Sequence, residues 1–361
     1  MRLVTRFQLI LLSLTTTTVT GNTYASVTEQ QWMELNQNLV QQHVLPRYQA
    51  LMHTSAQLHK EVELFCDKPE EKTLGSAQSA FRDTLNAWQA IQHVQFGPIE
   101  FLMRSYSLQF WPDKKNLTSK QLNKLLKAED PQTLQPEYFQ TASIAVKGLP
   151  AIERLLFSKA PLTEIQEAPF RCQFLHAVSG NVNKTATDTF NEWQTFSEEF
   201  NYLNSEEGHY ETSQEATIDL MKAQVEPLEV IRDLKLNRPL GKTKAKGKRL
   251  ESWRSGQSLQ NIQTNLQSLQ HMFSGVSGLN LKRLLEENGV TDRAEAIETS
   301  FNSINKLLAE LPSPLYLHVQ DEKVRVKLLQ VSAELTELHE HLGKSMNKLE
   351  LQLGFNSRDG D

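Results

Sequence analysis

Apolar residues recur along most of the chain at the three- and four-residue spacings of a helix face. Trp32, Leu35 and Leu39 make one stripe, and Leu74, Ala77, Phe81, Leu85 and Trp88 a second. A helical stretch runs towards Phe157, and a long one carries Phe174, Val178, Val182, Phe190 and Trp193. The second half has the same texture: Ile218, Met221, Val225 and Leu228, then Leu259, Ile262, Leu266 and Leu269. Segments 294–311 and 324–353 are helical again, with Pro312 and Pro314 breaking between them. Pro46 is expected to kink or interrupt the first segment. Helices joined by short breaks predict an all-α fold of two helical-bundle domains packed together, residues 26–205 and 206–361, divided at the Ser205-Glu206-Glu207-Gly208 turn. Thr212 or Ser213 is a candidate N-cap for the next helix.

One stretch departs from this pattern. From Phe96-Gly97-Pro98 to Asn116 the chain is irregular and aromatic, with Phe101, Tyr106, Phe110 and Trp111. A long Pro-punctuated loop in a helical protein either caps a core or lines a site. Glu100 and Asp113 place two carboxylates there, and Arg104 can offset one.

Composition narrows the class. With 361 residues, 38 Lys+Arg, 43 Asp+Glu and a net charge of −5, the chain lacks the basic footprint of a nucleic-acid binder. Fifteen Gly and 13 Pro leave little turn chemistry for a β-sandwich. Arg2 and Arg6 precede an apolar run from Phe7 to Leu14, and Thr23-Tyr24-Ala25 offers a cleavage site. This reads as a signal peptide over residues 1–25, with a mature chain from Ser26 in the periplasm or cell envelope. The cleavage site lacks the Cys that a lipid anchor would need, and no later segment approaches the ~20 apolar residues of a membrane span. In such a compartment the two cysteines, Cys66 and Cys172, read as one disulfide.

Several motifs dissolve on inspection. Lys235 to Arg249 holds seven basic residues and reads as a solvated interhelical loop rather than an anion or membrane-surface patch. Gly241-Lys242-Thr243 ends like a phosphate-binding loop, but Leu236 stands where the first glycine belongs. His209-Tyr210-Glu211 reads as a surface turn. Glu334, Glu337 and His341 share a helix face and read as solvated. Neither His-Glu-x-x-His nor Gly-x-Ser-x-Gly occurs.

Gly148-Leu149-Pro150-Ala151-Ile152-Glu153-Arg154-Leu155-Leu156-Phe157 is the other informative stretch. Pro150 suits either a fresh helix start just after Gly148 or a kink in a longer helix. Together with Phe96-Gly97-Pro98, Phe110-Trp111-Pro112-Asp113, Arg238-Pro239-Leu240-Gly241, Glu251-Ser252-Trp253-Arg254-Ser255-Gly256 and the tail Gly354-Phe355-Asn356…Asp359-Gly360-Asp361, it resembles the imelysin family of imelysin-like or insulin-cleaving membrane proteases, which includes iron-regulated periplasmic proteins. The resemblance implies two four-helix-bundle-like domains with a functional site between them. Its signature, Gly-x-His-x-x-Glu, would let His and Glu share a metal, but here Pro150 stands at the His position and offers no ligand atom.

The resemblance therefore implies an exported, non-enzymatic ligand-binding protein associated with iron acquisition, with a metal-dependent peptidase as the alternative. The expected ligand-binding residues are Asp113, Gly148, Glu153, Arg254, Ser255 and Glu100, with Arg254 able to hold a carboxylate in bidentate fashion. The expected ligand is a small molecule, a metal chelate or a peptide, with iron or another divalent metal as the cofactor to look for and an outer-membrane or uptake-system protein as a partner.

Overall fold

A computed structural model describes residues 26–201 and 208–354. The signal-peptide segment, the expected division at 205/206 and the tail beyond Gly354 lie outside the described residues. Within them the chain is helical, and no strand occurs. The longer helices are α1 (Glu29–Leu39), α2 (Leu45–Asp67), α3 (Glu71–Ile91), α4 (Leu117–Ala128), α5 (Leu149–Leu156), α6 (Pro169–Phe196), α7 (Ser213–Glu229), α8 (Ser258–Gln270), α9 (Thr291–Ala309) and α10 (Glu322–Lys348).

The apolar stripes become the core. Helix α2 packs along both α3 and α6, with α5 against α3 and α6, burying Trp88, Trp193, Phe81 and Phe174. Helices α7, α8, α9 and α10 enclose a second set that includes Leu220, Ile262, Phe301 and Leu335. Helix α1 lies on α7, and α3 on α8, so the early and late helices meet along these two contacts. Thr28 starts α1 with a capping box: its hydroxyl accepts from Gln31 N–H, and the Gln31 side chain accepts from Thr28 N–H. Thr212 caps α7 in the same position, accepting from Glu215 N–H. Cys66 near the end of α2 is bonded to Cys172 near the start of α6, with Cα atoms 5.5 Å apart. A loop of that length is worth about 4–5 kcal/mol in the chain-entropy account.

Among the described residues three helices widen into π-helical turns: Val40–Val44 before α2, Val230–Asn237 after α7, and His271–Gly275 after α8. The interruption expected at Pro46 takes this form. The chain stays helical from α1 through the turn, and Pro46 sits in the first turn of α2, where a missing N–H is harmless. Each widened turn carries a buried or half-buried polar side chain inward: His43, Lys235 and His271 respectively.

His43 joins the two others of a histidine trio. Its Nε2 lies 2.8 Å from His93 Nε2, and its Nδ1 lies 3.1 Å from His271 Nδ1. Each contact needs one proton shared between two nitrogens, so protonating the trio would set N–H against N–H. Burial, with Arg47 nearby, pulls His93 down to about 3, and burial with the same cationic neighbourhood lowers His43.

These depressed histidines make the fold sensitive to acid. The unfolded chain takes up their protons near pH 6.5, whereas folded His93 resists until about 3. Between those values the unfolded state binds more protons, so stability falls as the pH drops, by up to ~1.4 kcal/mol per pH unit for each such histidine. Urea midpoints measured from pH 7 to pH 4 are expected to fall steadily, with a shallower slope for His93→Gln. A midpoint unchanged down to pH 5 would contradict this.

Candidate functional site

The irregular loop 96–116 folds as two single 3₁₀ turns, the short helix Arg104–Leu108, and an extended run ending in a cis Trp111–Pro112 peptide. After it, Asp113 accepts hydrogen bonds from the N–H groups of Leu117 (2.7 Å) and Thr118 (2.9 Å), satisfying the open start of α4. Gly148 caps α5, and Pro150 lies in its first turn, so the fresh start rather than the kink is realised. The glycine is a steric necessity: a Cβ there would lie 2.1 Å from Ser107 O and 2.5 Å from Leu108 O. This close approach sets α5 against the loop.

Helix α5 presents Glu153, 5% exposed, to the turn that precedes α8. One oxygen, Oε1, accepts both from Ser255 N–H (3.0 Å) and from the Ser255 hydroxyl (2.7 Å). A buried carboxylate needs such donors. Arg154, the next residue, donates to Ser119 Oγ and Pro150 O, and its guanidinium lies 3.7 Å from Asp113. Arg254 lays its guanidinium 4.4 Å over the Trp253 ring and makes no hydrogen bond to a carboxylate among the described residues. The expectation of a bidentate Arg254–carboxylate pair is thus corrected. The turn aims Ser255, not Arg254, at Glu153, and Arg154 is the cation beside Asp113.

These residues wall a cavity of about 530 Å³ between residues 81–154 and residues 238–254. Its lining is strongly basic: Lys114, Arg154, Arg238, Lys248, Arg249 and Arg254 face only Asp113 and Glu153. Burial pulls Arg154 down to about 10, with Arg254 adding to the fall and Glu153 and Asp113 opposing it. Arg254 is lowered by burial against the same two carboxylates, and Arg238 by burial and then by Arg249. Arg154, Arg238 and Arg254 are half-buried, and Lys114, Lys248 and Arg249 are exposed at the rim. With only two carboxylates against them, they form an anion-attracting field.

Of the residues expected at the site, Asp113, Gly148, Glu153, Arg254 and Ser255 gather around this cavity or hold its walls. Glu100 does not. It is exposed and lines a different cleft on the other side of the loop. Sequence reasoning passed over Arg154, Lys114 and Gln109, although Arg154 directly follows Glu153. The basic run also needs correcting: Lys235 is 3% exposed and bonded to Glu251, whereas Lys242, Lys244, Lys246, Lys248 and Arg249 are solvated as expected.

The imelysin family model, Peptidase M75, matches residues 44–342. The chain belongs to the imelysin family. An imelysin-like protein of Psychrobacter arcticum 273-4 superimposes with a TM-score of 0.77 at 19% identity, covering 91% of this chain and 98% of that one. A protein assigned as an iron-regulated protein A precursor from Parabacteroides distasonis ATCC 8503 gives the same score at 15% identity, covering 91% and 97%. At such identities the likeness is one of fold. No curated protein matches the chain.

The imelysin signature's metal does not fit here. Pro150 has no ligand atom, one Glu153 oxygen already takes two donors, and the surrounding charge is positive. Among the described residues no group of three His, Cys, Asp or Glu side chains is placed to hold a metal ion.

Two substitutions test how this imelysin site is held. Gly148→Ala drives a methyl group into the Ser107 and Leu108 carbonyls, and is expected to destabilise by ~2 kcal/mol or more. Ser255→Ala removes one of two donors to buried Glu153, with an expected loss of ~1–3 kcal/mol. Urea denaturation decides both, and wild-type midpoints for either variant would refute the corresponding contact.

Proposed function

We propose that this imelysin is an exported, non-enzymatic binding protein of iron acquisition, and that its ligand is an anionic metal chelate held in the basic cleft between the two bundles. Export rests on the signal-peptide pattern of residues 1–25, and the link to iron rests on the name of the Parabacteroides neighbour. The observation that carries the ligand class is Arg254. Its guanidinium is half-buried over Trp253 with no carboxylate hydrogen-bonded to it among the described residues, while Glu153 is held by Ser255 and Asp113 by the start of α4. A cavity so lined repels a bare cation and attracts a polycarboxylate, whose oxygens match the planar guanidinium fork. An iron–citrate complex has that chemistry.

The peptidase alternative lacks support at this place, since hydrolysis would need an activated water or nucleophile beside a base. Among the described residues Ser255 is the only hydroxyl on Glu153, and its proton is directed at a carboxylate that α5 holds fixed.

Calorimetric titration of the mature protein with ferric citrate, citrate alone and ferrous ion tests the reading. One equivalent of ferric citrate is expected to bind. Arg254→Met is expected to weaken that binding about tenfold or more, the effect of ~1.5–3 kcal/mol from a charge-assisted bond, without changing the far-ultraviolet spectrum. Stoichiometric ferrous ion binding without citrate, or metal-dependent cleavage of an insulin chain, would overturn the proposal.

A further inference from the structure

The rim of the basic cavity runs on into a loop crowded with cations. Between Gly241 and Arg249 the chain carries Lys242, Lys244, Lys246, Lys248 and Arg249 and no acidic residue, and all five side chains are exposed. Among the described residues none of the five is ion-paired with a carboxylate. Asp321 and Glu322 stand at the head of α10, next to Gln320, which touches the loop, but Asp321 accepts from the N–H groups of Lys323 and Val324 and Glu322 makes no ion pair. Lys248 and Arg249 line the cavity, with Lys248 5.5 Å over the Trp253 ring, whereas Lys242, Lys244 and Lys246 lie outside it.

Like charges this close repel one another, and an unsupported loop would spread them apart. This one is clamped. Arg325 of α10 donates to Leu240 O (2.8 Å), Gly241 O (3.0 Å) and Lys242 O (3.2 Å), which brings a sixth cation to the loop. Lys246 N–H donates to Pro239 O at 2.7 Å and closes the loop onto its own start, beside Arg238. Gln320 donates to Ala245 O, and the Ala245 side chain is buried. At Gly247 the chain passes so close to the short helix Leu315–His318 that a Cβ would lie 2.3 Å from Tyr316 O. The closure sets Lys246 next to the Arg238 end of the cavity and keeps Lys242 and Lys244 on the same compact turn.

The chain as a whole carries a net charge of −5, so an approaching anion meets overall repulsion that only a local cationic field can offset. We propose that Lys242, Lys244 and Lys246 are an electrostatic guide for the basic cavity: they raise the rate at which a multiply charged anionic chelate reaches it, without touching the bound ligand. This rests on the anionic-chelate reading of that cavity and adds which residues outside it set the rate. Such guidance acts on association and leaves dissociation almost untouched. It fades as salt shortens the reach of a charge from ~30 Å at 0.01 M to ~3 Å at 1 M. The clamps favour guidance over mere solvation, because backbone fixed at the mouth gives the field a constant origin, whereas a loose loop would scatter it.

The test uses the mature protein with ferric citrate as the probe, followed by stopped-flow tryptophan fluorescence, since Trp111 and Trp253 line the cavity. A triple variant, Lys242→Gln with Lys244→Gln and Lys246→Gln, is expected to associate about fivefold or more slowly than wild type at ~0.01 M ionic strength, with its dissociation rate within about twofold. At ~1 M salt the two association rates are expected to agree within about twofold. A control triple variant, Lys60→Gln with Lys72→Gln and Lys159→Gln, removes the same charge from exposed positions that do not line the cavity. It is expected to associate within about twofold of the wild-type rate. Circular dichroism checks the fold of each variant. Unchanged association in the loop variant, equal slowing in the control, or a change confined to dissociation overturns the guide and leaves the chelate reading standing. Failure of the wild-type protein to bind ferric citrate overturns both.

Discussion

Lys235 and Glu251 meet at 2.8 Å with both side chains almost fully removed from water, and the arrangement of the site depends on that contact. Neither charge can stay buried unless its other bonding positions are filled. They are: Lys235 also donates to Gln89 Oε1 and Asn265 Oδ1, while Glu251 accepts from Gln109 and Asn261. Gln89 ends up bonded to Asn265 as well, through its backbone carbonyl and its side chain. Gln89 belongs to α3 and Gln109 to the irregular loop, so the pair ties the early helices to α8. Its value is more one of register than of net stability, because a buried pair gains little over an apolar contact whereas half of one is costly. Glu251 also opens the turn that carries Ser255 to Glu153, so the carboxylate on α5 meets its donors only when the seam is in place.

The helices were legible because burial imposes a 3.6-residue period on apolar side chains. Leu74 to Trp88 and Phe174 to Trp193 are core in the structure as in the pattern. What periodicity cannot show is a widened turn. One extra residue per turn rotates the next stretch of helix by roughly a third of a circle relative to an uninterrupted α-helix. Lys235 lies in such a turn at the head of a basic run, and charge content alone assigned it to solvent. Its burial depends on Glu251, sixteen positions away and beyond an irregular loop, a pairing that no local rule exposes. His43 and His271 escaped for the same reason.

At the site, residue type and apolar surroundings pointed to Glu153, Asp113 and Ser255, because a carboxylate among leucines must find donors. Which donors it finds depends on the direction of the 251–255 turn. Adjacent residues there point to opposite sides, so Arg254 went to the Trp253 face and Ser255 to the carboxylate. Glu100 was grouped with Asp113 by sequence proximity, but the left-handed kink at Leu102 and Met103 lies between them, and the two carboxylates line different cavities.

That separation gives the loop its significance. Gln109 and Trp111 line both cavities, so a thin wall separates the basic one from its neighbour. Inside the wall Lys235 and Glu251 cancel as a pair, so the basic cavity's polarity comes from its rim, from Arg154, Arg238 and Arg254. Gln109 is the direct mechanical connection: its side-chain amide donates to Glu251, its carbonyl oxygen accepts from Gln89, and its backbone leads into the Trp111–Asp113 corner. Through Gln109 the Trp111–Asp113 corner is thus tied to the Lys235–Glu251 seam, and through it to the turn that holds Ser255 against Glu153.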